Sequence, residues 1–315
     1  MTFPSPFTKR ALLSLLALLP GLAAAADLDG STLSVVWAVP FAGILLSIAL
    51  MPLLTPIFWH HHFGKVAAAW GALFLVPFAV VYGPAVAGAG FVHALLAEYI
   101  PFIVLLTALF TVAGGIHIRG NLHGSPGLNT AILAIGAALA SVMGTTGASM
   151  LLLRPLIRAN DNRVHRVHVF VFFIFIVSNI GGSLTPLGDP PLFLGFLKGV
   201  SFFWTLQHIW PETLFMLVTL LALFYAIDLW TYRKEGVLKI DPTPDTARLG
   251  FDGAVNFWLL GAIMALVLMS GVWQPGIEFN VAGTPVGLPG LVRDVGLLAI
   301  TILSLRITPS KVHAD

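Results

Sequence analysis

Of the 315 residues, 57% are hydrophobic and only 10% are charged, under half the charged share of roughly 25% usual in soluble domains, which excludes a soluble single-domain protein. Sixteen basic and 14 acidic residues give a formal charge of +2. Two of the basic residues, Lys9 and Arg10, sit in a leader-like segment, so the remainder is near neutral and no nucleic-acid partner is implied. The absence of cysteine excludes disulfides, thiolate metal sites, dithiol redox chemistry and cysteine nucleophiles.

Residues 1–26 combine the basic start, an apolar run over 11–19, a Pro20-Gly21 break and an alanine tract before Asp27. This pattern predicts a secretory signal peptide with an Ala-x-Ala cleavage site, because the apolar run is too short to span a bilayer. Beyond it, apolar stretches long enough to cross roughly 30 Å at about 1.5 Å per helical residue recur without a soluble linker. They cover 33–54, 66–82, 99–116, 168–196 (interrupted), 212–230, 255–273 and 291–305. The predicted fold is an all-α, polytopic helical bundle of a bacterial inner membrane, since lipid offers the backbone no hydrogen bonds. Pro40, Pro77 and Pro101 predict kinks, and Trp59, Trp204, Trp210, Trp230 and Trp273 fall near span ends as an interfacial belt.

Residues 128–157 form two apolar arms, 128–142 and 148–157, around the small polar run GTTGAS. Read as one kinked span, they place ten of the 14 remaining basic residues outside. Read as a hairpin that enters and leaves on one side, they place 12 of the 14 in the cytoplasm, leaving only Lys198 and Arg293 outside. The positive-inside rule therefore predicts a re-entrant hairpin.

The next stretch, 168–196, is a hydrophobic helix interrupted by SNIGGSLTPLGDPP. Gly181, Gly182, Gly188, Pro186, Pro190 and Pro191 cannot share a regular helix, and such a break survives at membrane depth only where it is buried in protein or lines a hydrated cavity. A hairpin beside a broken helix is how secondary transporters build a midplane site. Half-helix carbonyl ends, together with oxygens of Thr145, Thr146, Ser149, Ser178, Asn179, Ser183 and Thr185, suit a hard cation, whereas helix starts near Ala148 and Pro190 suit an anion. Asp189 is the only acidic residue this topology sets deep in a span. It reads as a helix N-cap and as a cation ligand or proton acceptor, two compatible roles.

His60, His61 and His62 are predicted to lie in a short cytoplasmic turn rather than in a metal site, and His117, His123, His165 and His168 at membrane boundaries. No HExxH spacing occurs, and no histidine lies inside a predicted span to activate Ser149 as a protease nucleophile. Glu98, Glu212, Asp228 and Asp294 fall near span ends, where solvation or pairing with a neighbour such as Arg293 is expected.

On these residues the chain resembles the ion-transporter superfamily, which includes NhaD-type sodium/proton antiporters, the arsenite-pump membrane subunit, citrate transporters and divalent anion/sodium symporters. SNIGGSLTPLGDPP is similar to the unwound segment of its broken helix, and GTTGASMLLLRPLIRAN to its inner hairpin, a likeness covering about residues 100–232. The resemblance implies cation binding at Asn179 and Asp189. The hairpin tip lacks the Asp-Asn pair of NhaD-type antiporters and the Ser-Asn-Thr tip of dicarboxylate symporters, while the Pro-Pro pair after Asp189 follows the symporter pattern.

Superfamily members consist of two inverted repeats, which implies a first repeat over 27–250 and the start of an incomplete second over 251–315. The expected function is a non-enzymatic secondary transporter, foremost a sodium:proton antiporter in which Asp189 alternates between protonated and cation-bound forms. The alternatives are a Na⁺- or H⁺-coupled citrate or carboxylate transporter, and a truncated, non-transporting membrane subunit. Na⁺ and H⁺ are expected as transported or coupling ions, with no other cofactor. The expected partners are the lipid bilayer, an inorganic cation or small carboxylate, and either a second copy or a missing C-terminal half.

Overall fold

The computed structural model describes residues 33–236 and 250–308. The expected signal peptide, and Lys239, Arg248 and Lys311 of the charge argument, lie outside the described residues. Among those described, seven helical stretches are long and apolar enough to cross a membrane, and the chain is a polytopic helical membrane protein. Two compact units are present, one formed by residues up to Ala97 together with Phe279–Pro285, the other by Glu98–Glu278 and the segment from Val286 onward.

In the first unit a 3-10 turn leads into α1 (Val39–Leu54), followed by α2 (Pro56–Tyr82) and α3 (Pro84–His93). Pro40 occupies the first turn of α1, where a missing N–H costs nothing, so it makes no kink; Pro77 lies inside α2. Trp70 ties α2 to α1 by donating its indole N–H to the Ser47 hydroxyl at 3.0 Å. The expected turn carrying three histidines is instead helix. Thr55 leaves helical geometry and Pro56 starts α2 at once, so His60, His61 and His62 occupy its first two turns. There the His61 and His62 rings face the carbonyls of Ile57 and Phe58 at 2.8 and 3.1 Å, along their own helix rather than toward a common ion.

A π-helical turn, Ala94–Tyr99, precedes α4 (Ile100–Gly114). Pro101, in the first turn of α4, has no N–H to donate and its ring crowds the turn before it, and a wider π turn relieves both. β1 (His117–Arg119) follows and pairs antiparallel with β2 (Gly250–Asp252), with Arg119 bridged to Asp252 at 3.0 Å. Such short strands were not expected from the sequence.

The decisive element is α5, Pro126–Ala159, whose helical run is interrupted at Gly144 with φ 80° and ψ 153°. Only glycine adopts that backbone without strain. A straight helix would hold residues 129 and 160 roughly 46 Å apart. Instead the Asn129 and Asn160 side chains exchange two hydrogen bonds of 2.9 Å, and the Gly124 N–H donates to the Ala159 carbonyl at 2.6 Å. The element is thus a hairpin with both feet at one end. Its second arm resumes at Thr145 rather than near Ala148, because one glycine suffices for the reversal.

After the hairpin come α6 (Val167–Ile176), an irregular segment with one 3-10 turn at Ile180–Gly182, and α7 (Pro190–Leu197). The broken helix expected over 168–196 thus corresponds to two helices with irregular backbone between them. The remaining elements are α8 (Trp204–His208), α9 (Trp210–Glu235), α10 (Val255–Val272), the strands β3 (Glu278–Val281) and β4 (Thr284–Gly287), and α11 (Leu288–Ile307). The core of the second unit joins Ala108 and Val112 of α4 to Leu133, Ala137 and Ala140 of the first hairpin arm and Leu152 and Leu156 of the second. The many small residues let backbones approach closely, which substitutes for hydrophobic drive inside lipid. At one end, Asn256 donates to the Gly115 carbonyl (2.8 Å) and the Thr308 hydroxyl (2.9 Å) and accepts from Ser304 (2.7 Å), riveting α4, α10 and α11.

Candidate functional site

A cavity of about 310 Å³ opens where the hairpin tip, the irregular segment and α4 meet. Its walls include Thr107, Thr111 and Phe110 from α4, Gly144, Thr145 and Thr146 from the tip, Leu187, Gly188 and Asp189 from the break, and Phe193 from α7. The tip and the break are bonded directly, the Thr145 N–H donating to the Gly188 carbonyl at 3.0 Å. The glycines are what permit this. A Cβ on Gly188 would stand 2.2 Å from the Gly182 carbonyl oxygen, and one on Gly182 would stand 2.6 Å from the Thr145 methyl group. The second arm starts at the cavity, so its first-turn N–H groups and its positive dipole end lie at the cavity wall.

Asp189 occupies the N-cap position of α7, yet its side chain caps nothing. Pro190 and Pro191 have no N–H to offer, and the Leu192 N–H is taken by the Asp189 backbone carbonyl at 3.1 Å. The carboxylate is left to the cavity, where among the described residues it is the only ionisable side chain in the lining. One carboxylate, threonine hydroxyls and a helix start on the same wall give the cavity one group suited to a hard cation and one suited to an anion.

The other residues expected at the site are distributed around it. Ser149 and Ser178 share a hydrogen bond of 2.9 Å and face a separate cavity of about 450 Å³ beside Phe170 and Phe173. Ser183 donates to the Ile180 carbonyl at 2.8 Å and lies 3.0 Å from the Thr213 hydroxyl of α9. Thr185 donates to the Ser141 carbonyl, while the Ser141 hydroxyl donates to the Gly181 carbonyl at 2.6 Å. The Ser141 carbonyl, at the end of the first arm, is therefore already engaged. Asn179 is exposed and donates to the Ile174 carbonyl at 2.9 Å. The irregular backbone is stitched to its neighbours, as unpaired groups at membrane depth require.

A second polar constellation lies at the hairpin feet, and the sequence reading passed it over. Asp228, expected to be solvated or paired near a span end, is fully buried. Its Oδ1 takes the Arg163 guanidinium at 2.6 Å and the His168 Nε2 at 2.8 Å, and its Oδ2 accepts from Asn129 at 2.9 Å. Arg163 is also buried, lies over the Tyr232 ring at 5.3 Å and approaches Glu235 at 3.6 Å. Asp228, unlike the part-buried Asp189, is thus fully enclosed by the bundle. The available signal was spacing: Asp228, Thr231 and Glu235 recur along one face of α9, where a helix facing lipid alone would be apolar. The cluster ties both hairpin feet to α6 and α9. Asp294 does pair with Arg293, at 2.8 Å, and Glu98 pairs with Lys198.

Residues 30–315 match a family described as "Putative citrate transport". Among curated proteins, a 46 kDa membrane protein of Mycobacterium leprae is 29% identical over 190 residues, which cover 58% of this chain and 41% of the relative. Uncharacterized transporters of Mycobacterium bovis and Mycobacterium tuberculosis are each 26% identical over 188 residues, with the same coverage. The chain therefore matches about two-fifths of the length of these relatives. No solved structure matches it.

Proposed function

The chain belongs to the citrate-transport family, and from that premise we propose that it forms the substrate-binding part of a cation-coupled carboxylate transporter. A citrate-class anion is held against the first-turn N–H groups of the second hairpin arm that follow Thr145, whose own N–H is taken by Gly188, and the coupling cation, Na⁺ or H⁺, is held at Asp189. The supporting observation is the cavity itself: about 310 Å³ is within the range of small-molecule sites, roughly 300–1,000 Å³, and larger than one ion requires. The cation offsets the repulsion between Asp189 and the carboxylate, so neither ligand binds well alone, which is the physical basis of coupling. Transport, on this reading, is a membrane function without bond chemistry.

Sodium:proton antiport is the second reading, favoured by the lining, in which among the described residues Asp189 is the sole charge and no basic side chain faces the anion. Proteoliposomes distinguish the two. Uptake of labelled citrate that requires an inward Na⁺ or H⁺ gradient and is lost in Asp189→Asn supports the carboxylate reading. Sodium-driven proton flux without citrate uptake overturns it in favour of antiport.

A further inference from the structure

Two cavities adjoin on the outer face of the second hairpin arm, at the end where the hairpin feet lie, and they share His117 and Arg154. The first, about 420 Å³, is an apolar trough between α4 and the second arm, walled by Phe110, Ala113, Gly114, Met150 and Leu153. Its side chains remain open to the surroundings: Phe110 is 55% and Met150 39% exposed. The second, about 390 Å³, is lined by His117, Arg154, Ile157 and Arg158.

Arg154 and Arg158 stand four residues apart, hence one above the other on a single helix face. Among the described residues no acidic side chain lines either cavity. Among the described residues Arg154 has no hydrogen-bond or ion-pair partner, and Arg158 gives a single bond, to the Ile118 carbonyl at 3.0 Å. The nearby Arg119 differs, being neutralised by Asp252. Two guanidinium forks without a carboxylate, set at the mouth of an apolar trough, match a group that is anionic at one end and hydrocarbon at the other.

We propose that this groove is a binding site for an anionic phospholipid, with an acyl chain along the trough and the phosphate on Arg154, Arg158 and His117. A planar guanidinium fork binds phosphate oxygens in pairs. The positive-inside pattern sets this end toward the cytoplasmic leaflet, where anionic lipids are concentrated and basic pockets between helices capture their headgroups. The trough decides between lipid and free phosphate, because a soluble phosphate would leave it unfilled. The bound lipid would brace α4 against the second arm, directly below the tip.

The test is native mass spectrometry and thermal melting of the delipidated full chain in detergent, titrated with phosphatidylglycerol, with phosphatidylcholine of the same acyl chains, and with glycerol phosphate. Phosphatidylglycerol should bind at least tenfold more tightly than phosphatidylcholine and raise the melting temperature, and glycerol phosphate at equal concentration should do neither. The double variant Arg154→Gln/Arg158→Gln should lose the preference, Arg154→Lys/Arg158→Lys should keep part of it, and Met150→Trp, which fills the trough, should weaken both lipids. Equal affinity for the two lipids, an undiminished preference in the glutamine variant, or stabilisation by glycerol phosphate alone would overturn the proposal. Should the glutamine variant misfold, the lysine and tryptophan variants and the comparison of lipids on the unaltered chain still decide it.

Discussion

Asn129 and Asn160, 31 positions apart, exchange two side-chain hydrogen bonds of 2.9 Å. That reciprocal pair closes the base of the hairpin and sets its tip at the cavity. The pair is not self-sufficient: the Asn129 amide also donates to Asp228, whose other oxygen takes Arg163 and His168. The geometry of the cavity therefore depends on a buried charge pair at the opposite end of the same element.

Replacing Asp228 by alanine leaves buried Arg163 with only the looser approach to Glu235 at 3.6 Å, a loss of about 3–5 kcal/mol by comparison with other broken buried pairs. Asn129→Ala leaves Asn160 and one Asp228 oxygen short of a partner, at about 1–3 kcal/mol. Thermal melting in detergent should rank the variants in that order. The double variant should cost less than the sum, because the two residues share one network.

Gly144 offers a sharper probe of the tip. At φ 80° and ψ 153° an alanine there is strained by about 1–3 kcal/mol, and its Cβ would sit 3.2 Å from the Leu187 carbonyl oxygen. Gly144→Ala should retain the foot contacts, keep a folded protein by circular dichroism, and lower substrate uptake at least tenfold. Unchanged uptake would mean that the tip geometry is irrelevant to transport.

Much of this arrangement was legible in the sequence because its causes are local. Gly144 marks the reversal, Pro190 and Pro191 mark the start of α7, and the arginines within 154–166 are what led the charge pattern to predict that both ends of the hairpin lie together. What was not legible depends on partners distant in the chain. Ser149, Ser178, Ser183 and Thr185 looked like equivalent oxygen donors, yet each hydroxyl is engaged elsewhere, Thr185 by a carbonyl 44 residues away. Asp228 looked like an interfacial residue because its charge partner, Arg163, sits on a loop 65 positions earlier. Proximity between two helices is not written in either one.

That distribution separates the site residues experimentally. Thr146→Ala should raise the half-saturating substrate concentration several-fold, since Thr146 lines the cavity beside Asp189. Ser149→Ala breaks only the 2.9 Å bond to Ser178, worth about 1 kcal/mol, and should lower the melting temperature slightly while leaving half-saturation in place. Equal effects on uptake would argue for a larger site that takes in the second cavity.

The absence of cysteine from the sequence makes topology directly measurable with single-cysteine variants. His123 and Val164 are both exposed and flank the hairpin on either side, whereas exposed Lys198 ends α7. If the hairpin is re-entrant, His123→Cys and Val164→Cys should react with an impermeant maleimide from the same face of oriented vesicles, and Lys198→Cys from the opposite face. The hairpin alone would satisfy the first pair even if it lay flat on the surface. The added requirement that Lys198 label from the other side tests whether α6, the break and α7 together complete one crossing, which the cavity needs if it is to be reached from both solutions in turn.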